Sequence, residues 1–157
     1  MTIKEGEKIP DIKLKRTDMS DITTAEIFGG KKVVIFAVPG AFTPTCSEQH
    51  LPGYIEQADA ILAKGVDDII CVSVNDAFVM GAWGKDRGAG DKVTMIADGN
   101  AELATALGLE FDGSGIGFGV RAQRFAAIVE DGVVTKLAVE KPSKFEVSSA
   151  DAILAAL

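Results

Sequence analysis

The sequence predicts an α/β fold with a central mixed β-sheet flanked by helices, and three observations carry that prediction. Two apolar, β-branched runs, Val33–Val38 and Asp68–Val74, are the right length for strands and too uniformly apolar to leave a face in water. Helical patterns alternate with strands as far as Leu107, which is the order that builds parallel βαβ units. Further on, Asp131-Gly132 separates two apolar runs, a hairpin signal that adds an antiparallel pair to the sheet.

Residues 1–30 predict an extended segment near Ile12–Leu14 and a small helix near Thr23–Phe28 that stops at Gly29-Gly30. The first central strand, Lys32–Val38, ends at Pro39-Gly40. Thr43 then fits an N-cap with Pro44 in the first helical position, which places Cys46 in the first turn. Thr45 with Glu48 fits a capping box instead, a register that brings the thiol nearer the helix start. The helix runs toward Gly65, with a kink or break expected at Pro52-Gly53.

Asn75-Asp76 closes the second central strand and caps a helix on which Phe78, Ala82 and Trp83 are grouped on one face. Val93–Ala97 is a third strand, Asp98-Gly99-Asn100 a turn, and Ala101–Leu107 a short helix closed by Gly108. Gly113–Gly119 lacks the spacing of a nucleotide-binding glycine motif and predicts a mobile loop leading to Arg124, with Arg121 in the loop just before that residue. Arg124–Glu130 and Val133–Val139 form the hairpin, and a last helix starts at Ser148 or Ser149. This is the element order of a thioredoxin-like fold.

The chain has 157 residues, 47% of them hydrophobic, enough for one core and one domain spanning residues 1–157. A formal charge of −7 argues against nucleic acid or an anionic membrane as partner. The first fifteen residues scatter charge and lack an apolar core, so neither a signal peptide nor a membrane span is expected. Two cysteines are too few for a disulfide framework or a structural zinc site, and they fit a reducing compartment, the cytoplasm or the interior of an organelle after removal of a transit peptide.

Cys46 is either a buried structural cysteine or a reactive one. Its polar surroundings favour the second, because free N–H groups and the helix dipole at a first turn favour an anionic sulfur. A thiol of ordinary acidity, with a pKa of roughly 8.5, is only about 3% ionised at pH 7, whereas a pKa of about 6 gives roughly 90%. That gain is only about 30-fold, and nucleophilicity falls as acidity rises, so other groups must stabilise the transition state. The Thr43 hydroxyl, three residues before the thiol, can donate or accept. Arg124 and Arg121 are the candidate cations. Arg124, at the start of an apolar strand, is either a solvated edge residue or an inward guanidinium in need of an anion. His50, the sole histidine, could pair with Cys46 one turn away or be a polar residue that shapes the pocket. As metal ligands Cys46 and His50 lack two partners.

VPGAFTPTCS at 38–47, HLPGY at 50–54, SVNDAF at 73–78 and the stretch from Arg124-Phe125 to Glu130-Asp131-Gly132 together resemble the type II, or atypical, peroxiredoxins over nearly the whole chain. The resemblance implies a thiol peroxidase that reduces hydrogen peroxide and alkyl hydroperoxides. It casts Cys46 as the thiol that becomes a sulfenic acid, Thr43 as the group that orients the peroxide, and Arg124 as the cation beside thiolate and departing oxygen. Pro39 would shield the sulfur from water. No metal, flavin or haem cofactor is implied, and a homodimer is, with Phe78, Trp83 and Phe118 either core or part of its contact.

One departure stands out. Relatives that form an internal disulfide carry a second reactive cysteine near the C-terminus, and residues 141–157 contain none. Cys71, in the middle of the second buried strand, reads as a small core residue. The expectation is therefore a one-cysteine mechanism, with the sulfenic acid reduced by glutathione with glutaredoxin, or by thioredoxin. A peroxide sensor that signals through oxidation of Cys46 is the alternative. A thiol hydrolase is disfavoured because the histidine and the thiol share one helix, and a disulfide reductase because there is no Cys-x-x-Cys.

Overall fold

A computed structural model describes all residues, 1–157. Its longest interior strand is β3 (Lys32–Val38), whose successive side chains point to opposite faces, so an unbroken apolar strand must serve two cores. Val34, Phe36 and Val38 enter one cluster, Val33, Ile35 and Ala37 the other. The adjacent parallel strand β4 (Asp68–Ser73) divides in the same way, Ile69 and Cys71 to the first cluster, Ile70 and Val72 to the second.

Beyond β4 lies parallel β5 (Thr94–Ala97); on the other side of β3, antiparallel β8 (Phe125–Glu130) pairs with β9 (Val133–Val139). The N-terminal strands β1 (Lys13–Arg16) and β2 (Asp21–Thr23) complete a seven-stranded mixed sheet of order β2-β1-β5-β4-β3-β8-β9. The β8–β9 turn has φ of 48° at Asp131 and 80° at Gly132, the pair of positive values that matches the twist of a two-residue hairpin. The hairpin partner β2 escapes the sequence reading because a three-residue strand has no periodicity to show.

Helices cover both faces. Helix α2 (Leu51–Leu62), α3 (Ala77–Arg87) and α5 (Ala150–Ala156) pack on the first face; α1 (Thr24–Phe28) and α4 (Glu102–Ala106) pack on the second. Asp76 and Ser149 cap α3 and α5 through side-chain oxygens that accept N–H groups of Val79 and Ala152. Two expectations change here. Trp83 is buried with Ala77, Met80 and Gly84, while Phe78 and Ala82 are exposed, because five residues along a helix is more than a full turn and carries Trp83 off the Phe78 face. The glycine-rich stretch is an ordered β-hairpin rather than an open loop: β6 (Glu110–Asp112) pairs with β7 (Val120–Ala122) around a 3₁₀ turn at Ser114–Ile116, and Arg121 lies in β7. No helix is long and apolar enough to cross a membrane.

Candidate active site

The site forms where β3 leaves the sheet. Helical conformation begins at Pro44, and the carbonyl of Thr43 accepts the N–H of Ser47 at 2.9 Å, so Thr43 occupies the N-cap position and Cys46 lies in the first turn. The competing capping box is absent: Thr45 is already helical and its side chain caps nothing. Thr43 does not cap through its side chain either. Its hydroxyl donates to the carbonyl of Gly40 at 2.6 Å, which closes the Pro39–Thr43 loop and leaves the oxygen's lone pairs free to accept.

At the Pro52-Gly53 position, where a kink or break is expected, the helix does not break: a single π turn, Cys46–His50, precedes the proline and continues into α2. Proline has no N–H and its ring crowds the carbonyl four residues back, so a wider turn just before Pro52 accommodates it without ending the helix. The N–H of Leu51 bonds the carbonyl of Cys46, five residues back. Trp83 pins the same turn from the other side, its indole N–H donating to Ser47 Oγ at 2.9 Å inside the core. Cys46 is 1% exposed. Its own N–H and that of Thr45 engage no protein acceptor, so two backbone donors remain at the helix start.

Arg124, the residue immediately before β8, directs its side chain inward. Nη2 donates to Cys46 Sγ at 3.0 Å and Nη1 to His50 Nδ1 at 2.8 Å. No carboxylate lies within salt-bridge distance of it. The open alternative at Arg124 thus resolves to the inward guanidinium, and the group it faces is the Cys46 sulfur. Strand β8 begins one residue later than expected, at Phe125, although the Arg124 carbonyl still accepts the N–H of Glu140 at 2.9 Å, in line with the β8–β9 register.

His50 is fully buried and makes no hydrogen bond to Cys46. Because a guanidinium only donates, Nδ1 accepts from Arg124 and Nε2 carries the proton, which goes to the carbonyl of Ser148 at 3.0 Å. Burial, with the adjacent Arg124 charge second, lowers its pKa to about 3, so the ring is neutral at physiological pH. A Cys–His ion pair is therefore ruled out by both geometry and charge. Phe36 and Phe145 pack on the ring, and Tyr54, stacked on Phe36 at 4.0 Å, also donates to the Ser148 carbonyl at 2.8 Å.

Arg121 does not reach the sulfur. Its Nε donates to the Phe118 carbonyl at 2.8 Å and Nη1 to the Pro39 carbonyl at 3.2 Å, fastening the β6–β7 hairpin to the loop after β3. Between hairpin and loop opens a cleft of about 700 Å³ whose walls include Pro39, Thr45, Phe118, Arg124 and Phe145. Cys71 lies fully buried in the core under the site, where loss of solvation pushes its pKa well above the usual thiol value. Sequence reasoning missed Glu140, Phe145 and Ser148. Their roles depend on a long-range loop closure, and nothing in a local pattern points to it.

Arg124 thus meets the Cys46 sulfur directly and lines the adjoining cleft with Pro39, while His50 holds the other side of the guanidinium, Arg121 bonds the Pro39 carbonyl and Thr43 is hydrogen-bonded to Gly40 in the loop before the thiol. The family model described as Redoxin matches residues 4–154. Peroxiredoxin-2B of Arabidopsis thaliana is 50% identical over 99% of this chain and 98% of its own length. Among solved structures, reduced Prx3 of Vibrio vulnificus in complex with H2O2 is 56% identical, covers 99% of this chain and 100% of its own, and superposes with a TM-score of 0.95. The Plasmodium falciparum antioxidant protein, a 1-Cys peroxiredoxin, is 32% identical over 96% of each chain with a TM-score of 0.92.

Proposed function

The chain belongs to the peroxiredoxins of the redoxin family and is a thiol-dependent peroxidase, and from that premise we propose that Cys46 is the attacking thiol and Arg124 its electrostatic partner. The observation that carries this is the 3.0 Å contact between Arg124 Nη2 and Cys46 Sγ, made by a cation with no carboxylate to neutralise it. The Cys46 thiolate attacks the nearer peroxide oxygen, a sulfur–oxygen bond forms as the O–O bond breaks, and the departing oxygen leaves as water or an alcohol after taking up one proton. Arg124 faces the charge as it moves from sulfur to departing oxygen, and the free N–H groups of Thr45 and Cys46 add fixed dipoles on the same side. Thr43, whose proton is committed to Gly40, accepts a hydrogen bond from the peroxide O–H and so aims it. Pro39 presents a ring without an N–H and limits water at the sulfur.

The product is a sulfenic acid, and two equivalents of an external thiol return it to the thiol with release of water and a disulfide. The burial of Cys71 supports the one-cysteine route, as does similarity to a protein described as a 1-Cys peroxiredoxin. Glutathione with glutaredoxin, or thioredoxin, is the reductant in this reading, with hydrogen peroxide and alkyl hydroperoxides as substrates. The cleft, larger than hydrogen peroxide requires, supports the latter. A homodimer is supported by Phe42 and Phe78, 52% and 70% exposed. They flank the contact between the Ala41 N–H and Asn75 Oδ1, which holds the active-site loop against the start of α3. The cytoplasm is the proposed location, in keeping with two unpaired cysteines.

Steady-state peroxide reduction with the glutathione/glutaredoxin and thioredoxin systems side by side tests the reading. Turnover with one of them, abolished by Cys46→Ser, is expected; turnover retained in Cys46→Ser overturns it. Oxidation of Cys46 without recycling by either system points instead to a peroxide sensor.

A further inference from the structure

We propose that Glu140 is a positioning residue for Arg124, acting through the 140–148 loop, Ser148 and His50. The inference rests on the roles proposed above for Cys46 and Arg124. Glu140 follows β9, is 7% exposed, and pairs with no cation. Its carboxylate instead accepts hydrogen bonds from three consecutive residues. Oε2 receives the N–H groups of Glu146, Val147 and Ser148, each at 2.8 Å, and the Ser148 hydroxyl at 2.7 Å; Oε1 lies 3.0 Å from the Glu146 N–H. One side chain therefore closes residues 140–148 into a loop, as an anion held in a nest of backbone donors.

What the loop presents explains the closure. At its end the Ser148 carbonyl accepts from both His50 Nε2 and Tyr54, which fixes the tautomer of a neutral histidine so that Nδ1 faces Arg124. On its inner side Phe145 packs edge-on against the His50 ring at 5.0 Å and lies 5.8 Å from the Arg124 guanidinium carbon. The Glu140 N–H also donates to the Arg124 carbonyl at 2.9 Å. Backbone and side chain of Glu140 thus converge on the same arginine, one directly and one through Ser148 and His50. Apart from the sulfur it serves, the guanidinium has His50 Nδ1 as its one side-chain acceptor and the Phe145 ring beside it, both held by this loop, and reactivity at the sulfur depends on the angle they set.

A carboxylate suits this place because it only accepts. Glutamine would turn an NH2 group toward at least one of the same donors, so Glu140→Gln loosens the loop with almost no change in volume.

The test is a double-mutant cycle on the second-order rate of hydrogen peroxide reduction, with Glu140→Gln, Arg124→Lys and the double variant. Coupled residues give non-additive effects, and a loss of general stability does not. Glu140→Gln is expected to slow peroxide attack about 10-fold in the wild-type background and less than about 2-fold in the Arg124→Lys background. Equal fold-changes in both backgrounds, or none in the wild type, overturn the inference. If Glu140→Gln does not fold, Ser148→Ala, which deletes one hydroxyl donor, takes its place in the cycle with the same non-additive pattern expected. Should Arg124→Lys itself leave the rate unchanged, the roles proposed for the site fail; a slow Arg124→Lys beside an unaffected Glu140→Gln fails only the inference about Glu140.

Discussion

Arg124 and Cys46 are separated by 78 residues in the chain, yet the Nη2 of one lies 3.0 Å from the sulfur of the other. The pairing of β3 with antiparallel β8 brings them together, since Ala37, one residue before the end of β3, stands opposite Phe125 and the next residue back from Phe125 is Arg124. The thiol enters from the loop that leaves one strand, and the cation from the residue that enters its neighbour.

Arg124→Lys is expected to slow peroxide attack about 100-fold, or about 2.7 kcal/mol of transition-state stabilisation. Lysine keeps the charge but cannot donate to sulfur and imidazole at once from a planar fork. Stopped-flow kinetics with hydrogen peroxide measure the effect, and a rate within about threefold of wild type removes Arg124 from the chemistry.

How far this arrangement can be read from the sequence differs from residue to residue. Cys46, Thr43 and Pro39 share one segment, and the preferences of proline, threonine and glycine at a strand–loop–helix junction are local, so their clustering was visible. For Arg124 the sequence offered two readings that only the β3–β8 register separates. Of the kink or break expected at Pro52-Gly53, the break did not occur and a π turn formed, because α2 packs its buried face, Leu51, Tyr54, Ala58 and Ile61, against the sheet, and that packing outweighs the local preference to stop. Glu140 was invisible as a participant: a carboxylate after a strand looks like a solvated one until residues 146–148 fold back over it.

Cys71 shares its core cluster with Cys46 and has no exposed surface. Burial raises its pKa well above the ordinary value, which holds it as an inert thiol. Cys71→Ala is expected to leave peroxide turnover unchanged and to lower stability by about 1–2 kcal/mol through the small cavity left between β4 and the helices on that face. Urea unfolding and steady-state turnover together check it; loss of turnover in a folded Cys71→Ala protein would assign that thiol a place in recycling.

His50 makes stability depend on pH in a definable window. In the unfolded chain the imidazole takes a proton below about 6.5, whereas in the native state it does so only near 3. Between those values the unfolded state binds more protons, so stability is fully present above the higher value and falls as pH drops, by up to about 1.4 kcal/mol per pH unit. Glu140 acts in the same direction at lower pH. Burial opposes its ionisation, but the hydrogen bonds from Glu146, Ser148 and Val147 outweigh that and hold its pKa below the ordinary 4.5. In the interval from 6.5 down to 4.5 the histidine lowers stability as pH falls, whereas Asp98, whose carboxyl burial raises above its ordinary 3.8, acts in the opposite direction, so the histidine's part is read as the difference from His50→Asn. Urea midpoints across that interval should fall for the wild type and stay flatter in His50→Asn; parallel curves would mean that the ring does not titrate as described. Peroxidase activity should show no inflection near 6.5 traceable to His50.

Gly40 tests whether the loop is held from outside as well as from within. A Cβ built there would meet Arg121 Nη1 at 2.8 Å and the Thr43 methyl at 3.1 Å. The guanidinium end is mobile and should yield, giving up its bond to the Pro39 carbonyl while Nε keeps the Phe118 carbonyl. Gly40→Ala is thus expected to cost less than about 1 kcal/mol of stability yet slow peroxide attack about 5- to 10-fold, because Pro39 and Thr43 both shift beside the sulfur. Comparison with Arg121→Ala separates the two contacts. A similar slowing in Arg121→Ala places the effect in the Pro39 tether, whereas normal activity there places it in Thr43, whose hydroxyl is anchored on the carbonyl of Gly40 itself. Wild-type rates in both variants would show that the loop keeps its shape without either contact.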